Sequence, residues 1–248
     1  VEVGVGVIPG WNGCARVLER AGESKYTMGG PMPRARAAFQ AVMLPQFSVS
    51  TSAPDAKKKM WFRDGDGVTM NSERLLVDAK ERALAMVDAG YTPPQPSHFS
   101  LPGQAGKAAF ASAIEEMAAQ NKEGSPTNIT KHDARVAHAL ADVLTGGDIA
   151  NHTTLLSEDD IAYLERRNFM ELVRNKSTQA RIEHMVSKGK PLREKDMASI
   201  DEMREVRSLK RKFDVAKRPL KRAPLKGWDA MKLKAMSGMT WGMYKALG

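Results

Sequence analysis

Apolar residues recur at helical spacing through most of this chain, and at strand-like spacing only at its start. The opening VEVGVGVI is apolar and glycine-spaced, and it reads as a short strand broken by Pro9-Gly10. A lone strand buries nothing by itself, so the opening reads as the middle of a longer fold. A helix-compatible run follows from Cys14 to Arg20, and Pro31–Gln46 reads as a helix opened by prolines, with Ala37, Ala38, Ala41, Val42 and Leu44 on its apolar side. In STSAPDAKKKMWF, Ser50, Thr51 or Ser52 can cap a short helix that tolerates Pro54 in its first turn. RDGDG (Arg63–Gly67) is turn chemistry. Ser72–Ala89 is a helix whose Leu75, Leu76, Ala79, Ala83, Met86 and Val87 fall on one face, ended by Gly90.

The proline-rich stretch Tyr91–Gly103 is extended and marks a boundary. Four helices are expected after it. Gln104–Asn121 is Ala-rich; Lys131–Leu144 has Thr130 as N-cap with Asp133 three residues on, and stops at Gly146-Gly147. Glu158–Arg174 repeats that cap with Ser157 and Asp160, and Thr178–Lys188 shows Ile182, Met185 and Val186 on one face before Gly189–Pro191. A further helix is expected over Lys195–Asp214, then the irregular KRPLKRAPLKG, then an amphipathic Met-rich stretch from Trp228 to Leu247. The chain therefore reads as mainly α.

Composition sharpens this in three ways. No apolar run approaches the roughly 20 residues that span a bilayer. The single cysteine, Cys14, leaves no internal disulfide and fits a reducing compartment, so the cytoplasm or a mitochondrial matrix is the expected location. The formal charge of +9 is unevenly placed: residues 194–248 hold 14 Lys+Arg against 7 Asp+Glu, and the rest is nearly neutral. In that tail Lys210, Arg211, Lys212, Arg218, Lys221 and Arg222 alternate with large apolar groups and lead into Trp228 and Trp241. So many apolar side chains ask for burial, which makes a protein partner the first expectation and RNA or an anionic membrane surface the alternatives.

The spacing Glu2-x-x-x-Gly6-x-x-Pro9-Gly10-x-x-Gly13 resembles the second half of the active-site region in the crotonase (enoyl-CoA hydratase/isomerase) superfamily. Residues 1–193 resemble more closely the carboxyl-terminal part of bacterial bifunctional 3-hydroxyacyl-CoA dehydrogenase/enoyl-CoA hydratase chains, through VEVGVGVIPG, LLVDAKERAL, LPGQAGKAA, HDARVAHALADVLTGGD and ARIEHMVSKGKPLR. The resemblance implies the carboxyl-terminal half of a crotonase-like α/β domain over 1–90, a helical extension over 91–193 and a basic docking tail over 194–248. It implies Glu2 as an acid/base in hydration of a 2-enoyl-CoA, with Gly10, Trp11 and Gly13 near the substrate. It also implies a CoA thioester as the substrate moiety, no cofactor in this chain, and a second glutamate and both oxyanion-hole donors that lie outside it. Such a chain is expected to be inactive alone. It serves either as part of a fatty-acid β-oxidation enzyme completed by another chain, or as a structural subunit of a larger assembly docked through its tail. Trp11-Asn12 replace the small residues usual after Pro-Gly, and the indole would occupy the acyl-chain region.

Other signals are bland. Cys14 reads as a buried structural thiol, the five histidines lack metal-ligand spacing, and Asp133 reads as a cap. Gly146–Asp148 reads as helix termination, and Lys57-Lys58-Lys59 as a solvated face with CoA phosphates as the alternative.

Overall fold

The computed structural model describes residues 2–23, 30–43, 50–121, 128–151, 153–190 and 192. The expected helix over 195–214 and every tail residue named above lie outside the described residues. The chain divides into one body formed by Val1–Asp66 and Pro96–Glu202, and a second unit formed by Gly67–Gln95 and Met203–Gly248, of which only Gly67–Gln95 lies among the described residues.

In the first body the opening is not a strand. Glu2 begins a 3₁₀ turn over Val3–Val5, its carbonyl accepting from the backbone N–H of Val5 and of Val7, each at 3.1 Å. Gly6 closes the turn in the left-handed region at φ 86°. A Cβ there would sit 2.7 Å from the His132 ring, so the tight turn follows from packing that strand periodicity does not record. The helices α1 (Gly13–Glu23), α2 (Pro31–Met43) and α3 (Ala53–Lys58) follow, with Ser52 capping α3 by accepting from Asp55 N–H. After the second unit come α5 (Gly103–Ala119), α6 (Lys131–Thr145), α7 (Glu158–Val173) and α8 (Lys176–Lys188). The one sheet among the described residues is a two-stranded antiparallel ribbon, β1 (His98–Ser100) with β2 (Leu155–Ser157), in which buried Phe99 lies opposite buried Leu156. No pattern of three residues announces such strands.

The core is built around α6, which packs on α1, α2, α5 and α7. Val136, Ala137, Leu140, Ala141, Val143 and Leu144 are all buried. Ile8, Leu18, Phe39, Phe110, Ile114, Ile161 and Leu164 come to meet them, and each fully buried aliphatic or Phe side chain contributes about 1.5–3 kcal/mol. The Phe39 and Phe110 rings lie 4.8 Å apart in a tilted pair that ties α2 to α5. Both capping boxes form as the sequence leads one to expect, Thr130 with Asp133 on α6 and Ser157 with Asp160 on α7. Gly146 ends α6 in the left-handed region.

Burial at the start of α6 is polar. Asp133 pairs with Arg181 of α8 at 2.7 Å, and both side chains are 2% exposed. Burial works against the Asp133 charge, but Arg181 and the Thr130 cap outweigh it and hold the carboxyl below its ordinary range. Beside it, the Thr178 hydroxyl donates to the Gly6 carbonyl at 2.9 Å and therefore accepts from His132 Nε2, also at 2.9 Å. Burial, with Arg181 close by, pushes the His132 pKa down to about 4. The expected apolar face of α8 is thus not what docks it. Thr178, Ala180 and Arg181 are buried, while Val186 is 83% exposed.

The second unit holds a 3₁₀ turn over Ser72–Arg74, capped by Asn71, and then α4 (Leu75–Asp88). The helix matches its periodicity, but the face that periodicity marks for burial is bare: α4 has no buried residue.

Two outcomes follow from the α6 start. Arg181→Met leaves Asp133 charged and buried and should cost about 3–5 kcal/mol in urea denaturation, with the Asp133→Asn/Arg181→Met pair costing clearly less. Equal losses would mean that the pair is not coupled. His132 is neutral when folded and takes up a proton only near pH 4, whereas in the unfolded chain it does so near its ordinary value of 6.5. Stability should therefore fall as pH drops from 6.5 to about 4, by roughly 3 kcal/mol from this residue. His132→Gln should flatten that slope, and an unchanged slope would assign the acid sensitivity elsewhere.

Candidate functional site

Two places in the first body bring chemistry-bearing residues together. The first is the turn before α1. Pro9 and Gly10 lead into Trp11 and Asn12, both at positive φ, 56° and 63°. A glycine at position 13 is required here because a Cβ would approach the Pro9 ring to 2.8 Å. Below the turn, Glu165 of α7 accepts from Asn12 N–H at 3.0 Å and from Cys14 N–H at 2.6 Å. A carboxylate from another helix thus caps α1, satisfying donors that its own sequence leaves open. Burial pushes the Glu165 carboxyl up, against the pull of those backbone donors. Cys14 is fully buried, and that burial, reinforced by the adjacent Glu165 charge, raises its thiol well above the ordinary value. It is a structural thiol, not a reactive one.

The second place is a groove of about 410 Å³ lined by α5, α6 and α7, with Lys107, Arg135, His138, Asp142, Asp148 and Arg167 among its walls. Asp142 is 5% exposed and sits at its base. Its carboxylate accepts from Lys107, from Arg167 at 2.9 Å and from Asn168 at 2.9 Å. Burial opposes this charge too, but the three donors hold the carboxyl below its usual range. Arg167 also reaches Asp148 at 2.8 Å. With its lone pairs so occupied, Asp142 is a counter-ion, not a proton acceptor. Arg135 and His138 face solvent on the exposed wall. The groove can recognise charge, and its buried carboxylate is already engaged by three donors.

The structure brings Gly10, Trp11 and Gly13 into one turn and places exposed Glu2 in another. Trp11 is 93% exposed, so the indole does not fill an interior acyl-chain region. Lys59 pairs with Asp55, and Lys57 donates to the Asp64 carbonyl, which leaves α3 a partly neutralised surface helix. Among the described residues no three His, Cys, Asp or Glu side chains gather as a metal site, and no helix is long and apolar enough to cross a membrane.

Comparison with known proteins adds one relative. The chain is 33% identical over 197 residues to a probable 3-hydroxyacyl-CoA dehydrogenase of Bacillus subtilis (strain 168). The match covers 78% of this chain but only 23% of that protein, so the chain spans about a quarter of the length of the curated relative it matches. No family model and no solved structure matches. The crotonase resemblance is corrected by this result. The relative is described as a probable dehydrogenase, the dehydrogenase part and not a crotonase segment is what is matched, and the opening that carried the resemblance folds as a 3₁₀ turn where a strand ending in a catalytic glutamate was expected. Glu2 loses the analogy on which its role rested.

Glu165, Asp142, Asn168 and Arg181 escape a reading for motifs, yet a signal for some of them exists. On α7 the core stripe is Ile161, Leu164, Glu165, Asn168 and Leu172, so two polar residues occupy positions whose helical period demands burial.

Glu165→Ala should orphan the Asn12 and Cys14 donors and cost about 2–4 kcal/mol by urea denaturation. Trp11→Gly should relieve left-handed strain and gain up to about 1 kcal/mol. A Glu165→Ala variant within about 0.5 kcal/mol of the parent would show that water replaces the carboxylate there.

Proposed function

We propose that this chain is a helical part of an acyl-CoA-processing protein of 3-hydroxyacyl-CoA dehydrogenase type, with a CoA thioester as the substrate moiety. The similarity to the Bacillus protein, running through most of this chain, carries the reading. The fold agrees with a supporting role in that reaction. Asp133, Asp142 and Glu165 are each engaged in holding helices together, so proton transfer at substrate falls to groups contributed by the rest of such a protein. The same engagement favours a second reading, a structural subunit with no chemistry of its own.

A substitution experiment separates them. Residues 1–193 of this chain replace the aligned stretch of the Bacillus protein, and formation of acetoacetyl-CoA from 3-hydroxybutyryl-CoA is followed with NAD as oxidant. The dehydrogenase reading expects a cooperatively folded hybrid with at least about a tenth of the parent turnover, a loss of no more than about 1.4 kcal/mol in the barrier. It expects no turnover from this chain alone. A folded hybrid without turnover favours the structural reading.

A further inference from the structure

The turn before α1 carries a reactive dipeptide. Of the asparagines in this chain, Asn12 is the one followed by glycine. Gly13 has no side chain to block approach, so its backbone nitrogen can reach the carbonyl carbon of the Asn12 side chain once the peptide turns toward it. A bond then forms between Gly13 N and Asn12 Cγ, and the bond from Cγ to Nδ2 breaks. Ammonia leaves with the proton that Gly13 N gives up. Water opens the resulting five-membered imide at either carbonyl. Position 12 becomes an aspartate, or an isoaspartate whose main chain runs through Cβ and Cγ.

That attack requires the Asn12–Gly13 peptide plane to rotate, and the fold ties both polar groups on the plane. The Gly13 N–H, whose nitrogen is the nucleophile, donates to the Gly10 carbonyl at 2.9 Å. The Asn12 carbonyl accepts from Arg16 N–H at 2.9 Å. The flanking peptides are tied as well: Asn12 N–H and Cys14 N–H donate to Glu165 at 3.0 and 2.6 Å, and Glu165 is only 3% exposed. Asn12 rests at φ 63°, a region that asparagine adopts more readily than most residues. Rotation breaks the first two hydrogen bonds and pulls on the two that a buried carboxylate holds. We propose that Asn12-Gly13 is a guarded deamidation site, protected while Glu165 holds the turn and modified when the turn opens. Isoaspartate adds one main-chain atom between the two N–H groups that Glu165 engages, and either product puts a second carboxylate on a turn that a buried carboxylate already caps. The isoaspartate turn cannot reclose as before, so a chain that has opened stays marked.

Peptide mass mapping of the full chain, incubated in mildly alkaline buffer with and without urea, reads conversion at each asparagine. Asn71-Ser72, exposed at the entry to α4 in the other unit, is the internal control. Asn12 should convert at least about tenfold more slowly in the folded chain than in urea, because reaction must pass through a local opening. Glu165→Gln has the same shape but keeps one acceptor oxygen for two donors; it should speed Asn12 at least about threefold and leave Asn71 unchanged. Glu165→Asp, charged but one methylene short, should act in the same direction and takes over the test if the glutamine variant does not fold. Equal rates with and without urea in the parent overturn the proposal. A folded Glu165 variant with the parental Asn12 rate overturns it too, as does acceleration at Asn12 and Asn71 alike, which reports general loosening. Hydrogen exchange of the purified isoaspartate form checks the marking: the amides at positions 12 and 14 should lose their protection, and parental protection there would overturn it.

Discussion

A helix packed on several sides keeps only a narrow solvated face, and α6, which exposes Lys131, Arg135 and His138 there, still buries His132 and Asp133 at one end and Asp142 at the other. Each would cost several kcal/mol if buried without a partner. Each is matched by a different helix: α8 supplies Thr178 and Arg181 at the start, while α5 and α7 supply Lys107, Arg167 and Asn168 at the end. Apolar contacts make the body compact, but they tolerate sliding. A bidentate or multi-donor carboxylate does not, and so these pairs fix the register in which the neighbours lie on α6.

The same device sets the conformation of the turn before α1. A tryptophan in the left-handed region beside Asn12 is a costly backbone, and the local chain offers it little beyond the Gly13 N–H, which donates to the Gly10 carbonyl at 2.9 Å. The stabilisation is distant: Glu165, about 150 residues away in sequence, accepts from the two N–H groups that this backbone presents. Were Glu165 at the surface, water would compete for those donors. Because it is 3% exposed, the competition is removed and the strained turn is the state in which the buried carboxylate is satisfied. Trp11 is exposed as a consequence of that geometry.

Helices were legible wherever periodicity and caps agreed. Thr130/Asp133 and Ser157/Asp160 marked two starts to the residue, and Gly146 one end, because capping chemistry is local. The opening was misread for the opposite reason. Alternating valines and glycines satisfy a strand pattern, but the left-handed Gly6 turn is imposed by His132 and Thr178, which are far off in sequence. On α8 the apolar triplet Ile182, Met185 and Val186 suggested the wrong docking face, since a buried Arg181 pairs so well with Asp133 that a charged face wins. The candidate sites were less legible still. Glu165 and Asp142 belong to no short motif, and their partners come from three other elements.

These two levels of legibility bear on what α4 means. In the first body, the buried polar groups at both ends of α6 and at Glu165 have visible ion-pair or hydrogen-bonding partners. For α4 the sequence pattern is strong, the helix forms, and no such partner replaces the expected contact among the described residues. The ion pair between Arg74 and Asp78, at 3.2 Å and largely solvent-exposed, contributes a few tenths of a kcal/mol and cannot hold fourteen residues helical. Propensity favours the helix, through Ala79, Ala83 and Ala85 and the Leu, Lys, Glu, Arg and Met residues around them, but fourteen residues remain marginal on propensity alone. Apolar burial is the kind of contribution large enough to close that gap, because packing of an apolar face supplies most of the stability of short helices.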